Sequence, residues 1–166
     1  MEVNELETRA VEYAKFSGFD LDRASPLGHG TDGSVWRSNR ASAVKALHRE
    51  RNYCIELECY QRFTDHGVTD IFGFAVPKLL GWNDELRVIE IGIVAPPFVL
   101  DFAKCWLDSP PEFSEQQWDD WHAQGQELFE DRWAAVLELL SALKQYGIFY
   151  YDAKPGNINF GELDEH

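Results

Sequence analysis

Tyr150-Tyr151-Asp152-Ala153-Lys154-Pro155-Gly156-Asn157-Ile158 is the stretch on which the reading of this chain turns. It sets a carboxylate, an ammonium and a carboxamide around a Pro-Gly pair that favours a turn. A polar turn would explain any one of these residues, but not their order and spacing. Upstream, Trp118, Trp121, Phe129, Trp133, Val136, Leu137, Leu140 and Leu143 recur at three- and four-residue steps, which predicts a helical region that Gly147 ends. Downstream, Ile158-Asn159-Phe160 is β-type. Residues 148–160 are therefore expected as strand, loop and strand, with Asp152, Lys154 and Asn157 on the loop.

Working outward, Gly28-His29-Gly30-Thr31-Asp32-Gly33 has the spacing G-x-G-x-x-G, which alone is a weak signal. The residues after Gly33 decide its type. A dinucleotide-binding turn opens straight into a helix, whereas Gly33 opens into Ser34-Val35-Trp36-Arg37-Ser38 and then into Ala41–Leu47, both β-type. The loop is therefore expected to cap a hairpin. Lys45 lies in the second strand, flanked by Ala43, Val44, Ala46 and Leu47, and its ammonium needs an anionic partner. A lysine snorkelling from an edge strand would read the same way. Residues 49–64 return to helical spacing, with Tyr53, Leu57, Tyr60 and Phe63 on one stripe. Glu56 borders that stripe while Glu58 faces away, so of the two acids Glu56 is the one expected to turn toward the sheet.

Together these segments resemble the protein-kinase-like superfamily, nearer its Ser/Thr protein kinases than its small-molecule phosphotransferases, which usually carry His where Lys154 stands. The resemblance covers about residues 21–160. It implies an α+β fold: a small antiparallel-sheet N-lobe with one helix, joined to an abbreviated helical C-lobe. The expected divisions are an N-terminal helix over 1–18, outside the family pattern, an N-lobe with its hinge over 19–100, and a partial C-lobe with the catalytic loop over 101–166. The resemblance implies that Gly28, Gly30, Gly33, Val35 and Ala43 shape an ATP site, and that Lys45, positioned by Glu56, holds the α- and β-phosphates. It implies that Asp152 orients the attacking hydroxyl and takes its proton, and that Lys154 stabilises charge on the transferring phosphoryl. Asn157 would hold Mg²⁺ and brace the loop. Backbone near Ile93–Ala95 would meet adenine, and Asp101 would reach a ribose.

The departures matter equally. Tyr150-Tyr151 replaces the His-Arg of the family pattern, and the sequence has no Asp-Phe-Gly, activation segment or Ala-Pro-Glu. The usual principal Mg²⁺ carboxylate and the peptide platform are thus missing, and metal support of the nucleotide is expected to be weak. Asp164 is a candidate substitute. Two functions stay open: an ATP-binding Ser/Thr-kinase-like phosphotransferase, weak or incomplete in isolation, and a pseudokinase-like binding or scaffold module without turnover. A fragment of a longer reading frame is a third reading.

The 166 residues suit one domain-sized core, and 45% hydrophobic with 27% charged residues is ordinary for a globular chain. The longest apolar run, 91–100, is broken by Gly92, Pro96 and Pro97, so no membrane partner is expected. Glu2, Glu5, Glu7 and Glu12 are wrong for a signal peptide, and Cys54, Cys59 and Cys105 form an odd, sparse set. Free thiols and a cytoplasmic location are expected. The net charge is −14, and residues 101–166 hold 14 acids against four lysines and arginines. That half would repel a phosphate backbone, so nucleic-acid binding is not expected. Arg37, Arg40, Lys45, Arg49 and Arg51 cluster in sequence, where a polyanionic ligand would go. The six tryptophans read as core, Cys54, Cys59 and His66 do not make a closed metal set, and Asn4 with Glu7 resembles a capping box for a helix over 4–17. The remaining β-type runs are 21–27, 76–82 and 86–94.

Overall fold

The computed structural model describes residues 2–161 and shows a mixed α+β chain. Its main sheet has five antiparallel strands in the order β1-β2-β3-β7-β6. These are β1 (Gly28–His29), β2 (Gly33–Arg37), β3 (Ser42–Leu47), β6 (Leu79–Asn83) and β7 (Val88–Gly92). Every residue of β3 is buried. The strand does not alternate because both its faces are covered, as a central strand between two layers requires.

One cover is α1 (Glu2–Ser17), whose Leu6, Ala10, Tyr13 and Ala14 pack with Trp36, Val44, Ala46 and Val88. Arg9 ties the helix to the end of β3 and to the turn before β7, donating to the carbonyls of Leu47 at 3.0 Å and Leu86 at 2.6 Å. α1 starts at Glu2, so Asn4 lies within its first turn and the expected start at Asn4 is corrected. The other cover is α2 (Glu50–Asp65), whose buried stripe is Tyr53, Glu56, Leu57, Cys59, Tyr60 and Phe63. That stripe continues into a core with Phe102, Val136, Leu139, Leu143, Ile148 and Tyr150. Arg62 fastens the far end of α2, donating to the Tyr146 carbonyl and to Asp108, each at 2.9 Å.

Below the sheet, short strands bind the chain to itself. β4 (Asp70–Ile71), β5 (Phe74–Ala75), β8 (Phe98–Val99) and β11 (Ile158–Asn159) form a four-stranded sheet ordered β11-β8-β5-β4, while β9 (Trp106–Leu107) pairs with β10 (Ile148–Phe149). α3 (Glu115–Phe129) starts at Ser114 with a full capping box: Ser114 Oγ accepts from the Gln117 amide, and Gln117 Oε1 accepts from the Ser114 amide. α4 (Trp133–Leu143) follows. No helix among the described residues is long and apolar enough to cross a membrane.

Some local expectations are corrected. The run 21–27 is irregular apart from a bridge between Leu21 and Ser38, because Pro26 lacks an amide donor and Asp22 turns the backbone by accepting from the Ala24 amide. The helical region from Trp118 to Leu143 breaks at Glu130, whose φ is 53°, and folds back. Gly125 makes the fold-back possible, since an added Cβ would lie 2.2 Å from Trp133 Cη2. The tryptophans divide: Trp36 and Trp133 are buried, Trp82 and Trp106 are exposed, and Trp118 and Trp121 are half-buried beside Tyr151.

Candidate functional site

A cleft of about 490 Å³ opens between the main sheet with α2 and the segments 98–101 and 156–157. One end is apolar, with Leu27, Val35, Ala43, Ile91, Phe98 and Leu100, beside residues 92–94 where the chain leaves β7. The other end is polar, with Lys45, Glu56, Asp101, Gly156 and Asn157. Its size is within the ordinary range for small-molecule sites, roughly 300–1,000 Å³. A recess of about 120 Å³ runs from this polar end beneath Gly28, His29, Gly30 and Gly33. A larger, open depression of about 780 Å³ adjoins Leu128–Arg132 and Ile158–Gly161, but none of the sequence-predicted site residues lines it.

Pairing decides what enters the cleft. Lys45 stands opposite Val35 on one neighbour and Ile89 on the other, so Val35, Ala43 and Lys45 share the face turned from α1. Lys45 Nζ donates to Glu56 Oε2 at 2.9 Å and to Asp101 Oδ1 at 2.7 Å. The pair expected from the resemblance and the stripe geometry of α2 is therefore present. Burial opposes charge on Lys45, but the fields of Glu56 and Asp101 outweigh it and hold the ammonium above the ordinary lysine range. Burial pushes Glu56 up, and the second carboxylate beside the same lysine adds to that rise.

Asp101 is the correction at this site. It does not stand free toward a ribose but reaches Lys45, with φ 61°. Its neighbours hold it there. Phe102 is fully buried among Tyr60, Phe63 and Tyr150, in edge contacts of 5.3–5.5 Å between ring centres. On the other side, the Leu100 amide donates to the Asn157 carbonyl at 2.8 Å, and the Tyr150 hydroxyl donates to the Leu100 carbonyl at 2.6 Å.

The three residues of the polar loop are brought together. Asn157 Nδ2 donates to the Asp152 carbonyl at 2.9 Å and lies 3.4 Å from its Oδ2, while Lys154 Nζ is 3.2 Å from Asp152 Oδ1. Trp121 Nε1 donates to the Tyr151 carbonyl at 2.8 Å, which fixes the entry to the loop. Gly156 and Asn157 line the cleft, whereas Asp152 and Lys154 do not and join it through the bond from Asn157 to Asp152.

The glycines have unlike roles. A Cβ on Gly33 would meet the Ala46 carbonyl oxygen at 2.1 Å, so close strand approach requires glycine there. A Cβ on Gly28 or Gly30 would meet nothing within 4 Å. Their bareness leaves room over the recess, as a loop that approaches a ligand through its backbone needs. His29 Nδ1 is 2.8 Å from Ser34 Oγ.

The expected cation cluster does not converge. Arg40 turns to the outer side of the sheet and pairs with Glu90, and Arg51 lies near Trp106; of the lysines and arginines named, Lys45 alone lines the cleft. The hairpin between β2 and β3 separates residues that are near in sequence. Sequence reasoning missed Lys104, which reaches the glycine loop: Nζ donates to Thr31 Oγ1 at 3.0 Å and lies 3.8 Å from Asp32 Oδ2.

Among the described residues no three His, Cys, Asp or Glu side chains gather as a metal cage. The oxygen donors at the polar end, Asp101 and Asn157, nevertheless suit Mg²⁺, which commonly takes one or two carboxylates and fills its shell with water and phosphate oxygens. Asp164 lies outside the described residues. Comparison of the sequence with protein-family models and with curated proteins gives no match.

Proposed function

We propose that the chain is an ATP-binding phosphotransferase resembling the Ser/Thr protein kinases, with weak transfer in isolation. The observation that carries this reading is the meeting at one cleft of four segments singled out separately: the loop 28–33, Lys45, Glu56 and the end of the loop 152–157, where Gly156 and Asn157 line the cleft and Asn157 holds Asp152. On this reading the sheet with α2 is the N-lobe and the helices after residue 100 are a short C-lobe. Adenine lies between Val35 with Ala43 above and Phe98 with Leu100 below, against residues 93–94. Lys45, charged and held by Glu56, takes the phosphates under the glycine loop. Asp152 orients the acceptor hydroxyl and accepts its proton, while Lys154 brings positive charge beside it. Asn157 braces Asp152 and offers an oxygen to the metal. Mg²⁺, when bound, neutralises charge on the β- and γ-phosphates.

The same cleft supports a second reading, a pseudokinase-like binding module. Lys45 is already engaged by two carboxylates, and no Asp-Phe-Gly segment occurs. The two separate by experiment. A melting shift with ATP or ADP that Lys45→Ala abolishes supports the nucleotide site, and no shift and no calorimetric heat at millimolar nucleotide defeats it. Slow Mg²⁺-dependent autophosphorylation or ATP hydrolysis that disappears in Asp152→Asn supports the phosphotransferase. Nucleotide binding without either leaves the binding module.

A further inference from the structure

We propose that the cleft takes a nucleoside polyphosphate only as its divalent-metal complex, and that Asp101 is the residue that imposes this by receiving the metal. The inference deepens the nucleotide reading and rests on it.

Charge and position support it together. Among the side chains lining the cleft, one ammonium, Lys45, faces two carboxylates, Glu56 and Asp101. The site is therefore net negative before any ligand arrives. The carboxylates differ: the Glu56 side chain is 1% exposed and belongs to α2, whereas that of Asp101 is 44% exposed at the mouth of the recess. A phosphate that comes to Lys45 takes the ammonium's third N–H or the bond Asp101 holds, and in either case lies against that carboxylate. It then leaves a carboxylate beside a polyanion in a partly desolvated cleft, which is repulsive unless a cation enters between them. Asp101 cannot retreat far, because Phe102 anchors it in the core and Leu100 is bonded to Asn157 and Tyr150. Those bonds also hold Leu100, its neighbour, against Asn157, the other oxygen donor of the polar end. One carboxylate, one carboxamide and the phosphate oxygens make a set that Mg²⁺ accepts with water. Asp101 thus holds Lys45 when no nucleotide is bound, and is positioned for a metal when one is.

The test is calorimetric titration of the full chain with ADP, in EDTA and in MgCl₂. Wild type is expected to bind ADP about tenfold or more tightly with Mg²⁺ than without. Asp101→Asn removes both the competitor and the like charge. It is expected to bind metal-free ADP more tightly than wild type and to lose most of the Mg²⁺ enhancement. Asn is chosen because it tolerates a positive φ. Mn²⁺ with ADP gives a second readout: the free-ion electron-paramagnetic signal falls on adding wild type and persists with Asp101→Asn. Wild type that binds ADP equally with and without Mg²⁺, or Asp101→Asn that keeps the full enhancement, overturns this inference and leaves the nucleotide site standing. Wild type that binds no ADP in either condition overturns the nucleotide reading, and this one with it.

Discussion

The Tyr13 hydroxyl donates to Glu90 Oε1 at 3.0 Å, joining α1 to β7 across the outer face of the sheet. Glu90 is fully buried and also accepts from Ser42 Oγ at 2.6 Å and from Arg40. Burial opposes its charge, but these donors prevail and hold the carboxyl below its ordinary range. Burial and the same bond push Tyr13 up to about 12. A carboxyl whose folded pKa is depressed gives stability that is complete above the unfolded value, roughly 4.3, and is lost as pH falls through the folded value. Urea denaturation is therefore expected to show stability falling below about pH 4, with a shallower fall in Glu90→Gln. Tyr13→Phe is expected to cost about 1.5–3 kcal/mol at neutral pH, the range for a bond to a charged group. A cost under about 0.5 kcal/mol would mean that the bond adds nothing net.

Lys45→Met leaves Glu56 buried without its ammonium, and breaking a buried pair in this way costs about 3–5 kcal/mol. Burial already raises Glu56, and losing Lys45 raises it further. The folded variant then binds a proton that the unfolded chain releases, so its stability increases as pH falls toward the unfolded value. The gap from wild type is expected to be smaller at about pH 5 than at about pH 7.5. A gap that is the same at both pH values would show that Glu56 does not take up that proton.

Gly33→Ala drives a Cβ into the Ala46 carbonyl and is expected to destabilise by at least 1–3 kcal/mol, roughly the cost of overpacking. Gly28→Ala and Gly30→Ala meet open space and are expected to leave the melting temperature almost unchanged. On the nucleotide reading these two weaken ADP binding despite normal stability. Full ADP affinity in both would remove the glycine loop from the site.

Lys104→Ala cuts the tie between the glycine loop and the chain below the cleft. The pair is half-exposed, so the stability change is expected to be about 0–1 kcal/mol. Amide hydrogen exchange over residues 28–33 is expected to quicken several-fold while that of β3 stays unchanged. Unchanged exchange in the loop would show that Lys104 does not restrain it.

Much of this arrangement is legible in the sequence, for physical reasons. The choice of Glu56 over Glu58 follows from helical spacing, because the stripe Tyr53, Leu57, Tyr60 and Phe63 fixes which acid faces the sheet. The contacts of Asp152, Lys154 and Asn157 follow from a short turn whose residues meet locally. Asp101 and Lys104 are illegible because their positions depend on Phe102 sinking between α2 and Tyr150, a contact between distant parts of the chain. The two-residue strands are too short for alternation to mark them. The break at Glu130 has no proline or glycine beside it, and the notch that accommodates the fold-back, Gly125, lies five residues upstream, where it receives Trp133.

The docking of α1 sets an order of events during synthesis. Its partners are far along the chain: Arg9 bonds to carbonyls 38 and 77 residues away, and Tyr13 to a carboxylate 77 residues away. At roughly 5–20 residues per second, α1 leaves the ribosome several seconds before β7. A helix of 16 residues is marginal on its own, so in that interval its apolar stripe stays in water, unfolded or held by another protein. The outer wall of the sheet is therefore closed late, by the segment that emerged before every strand it covers.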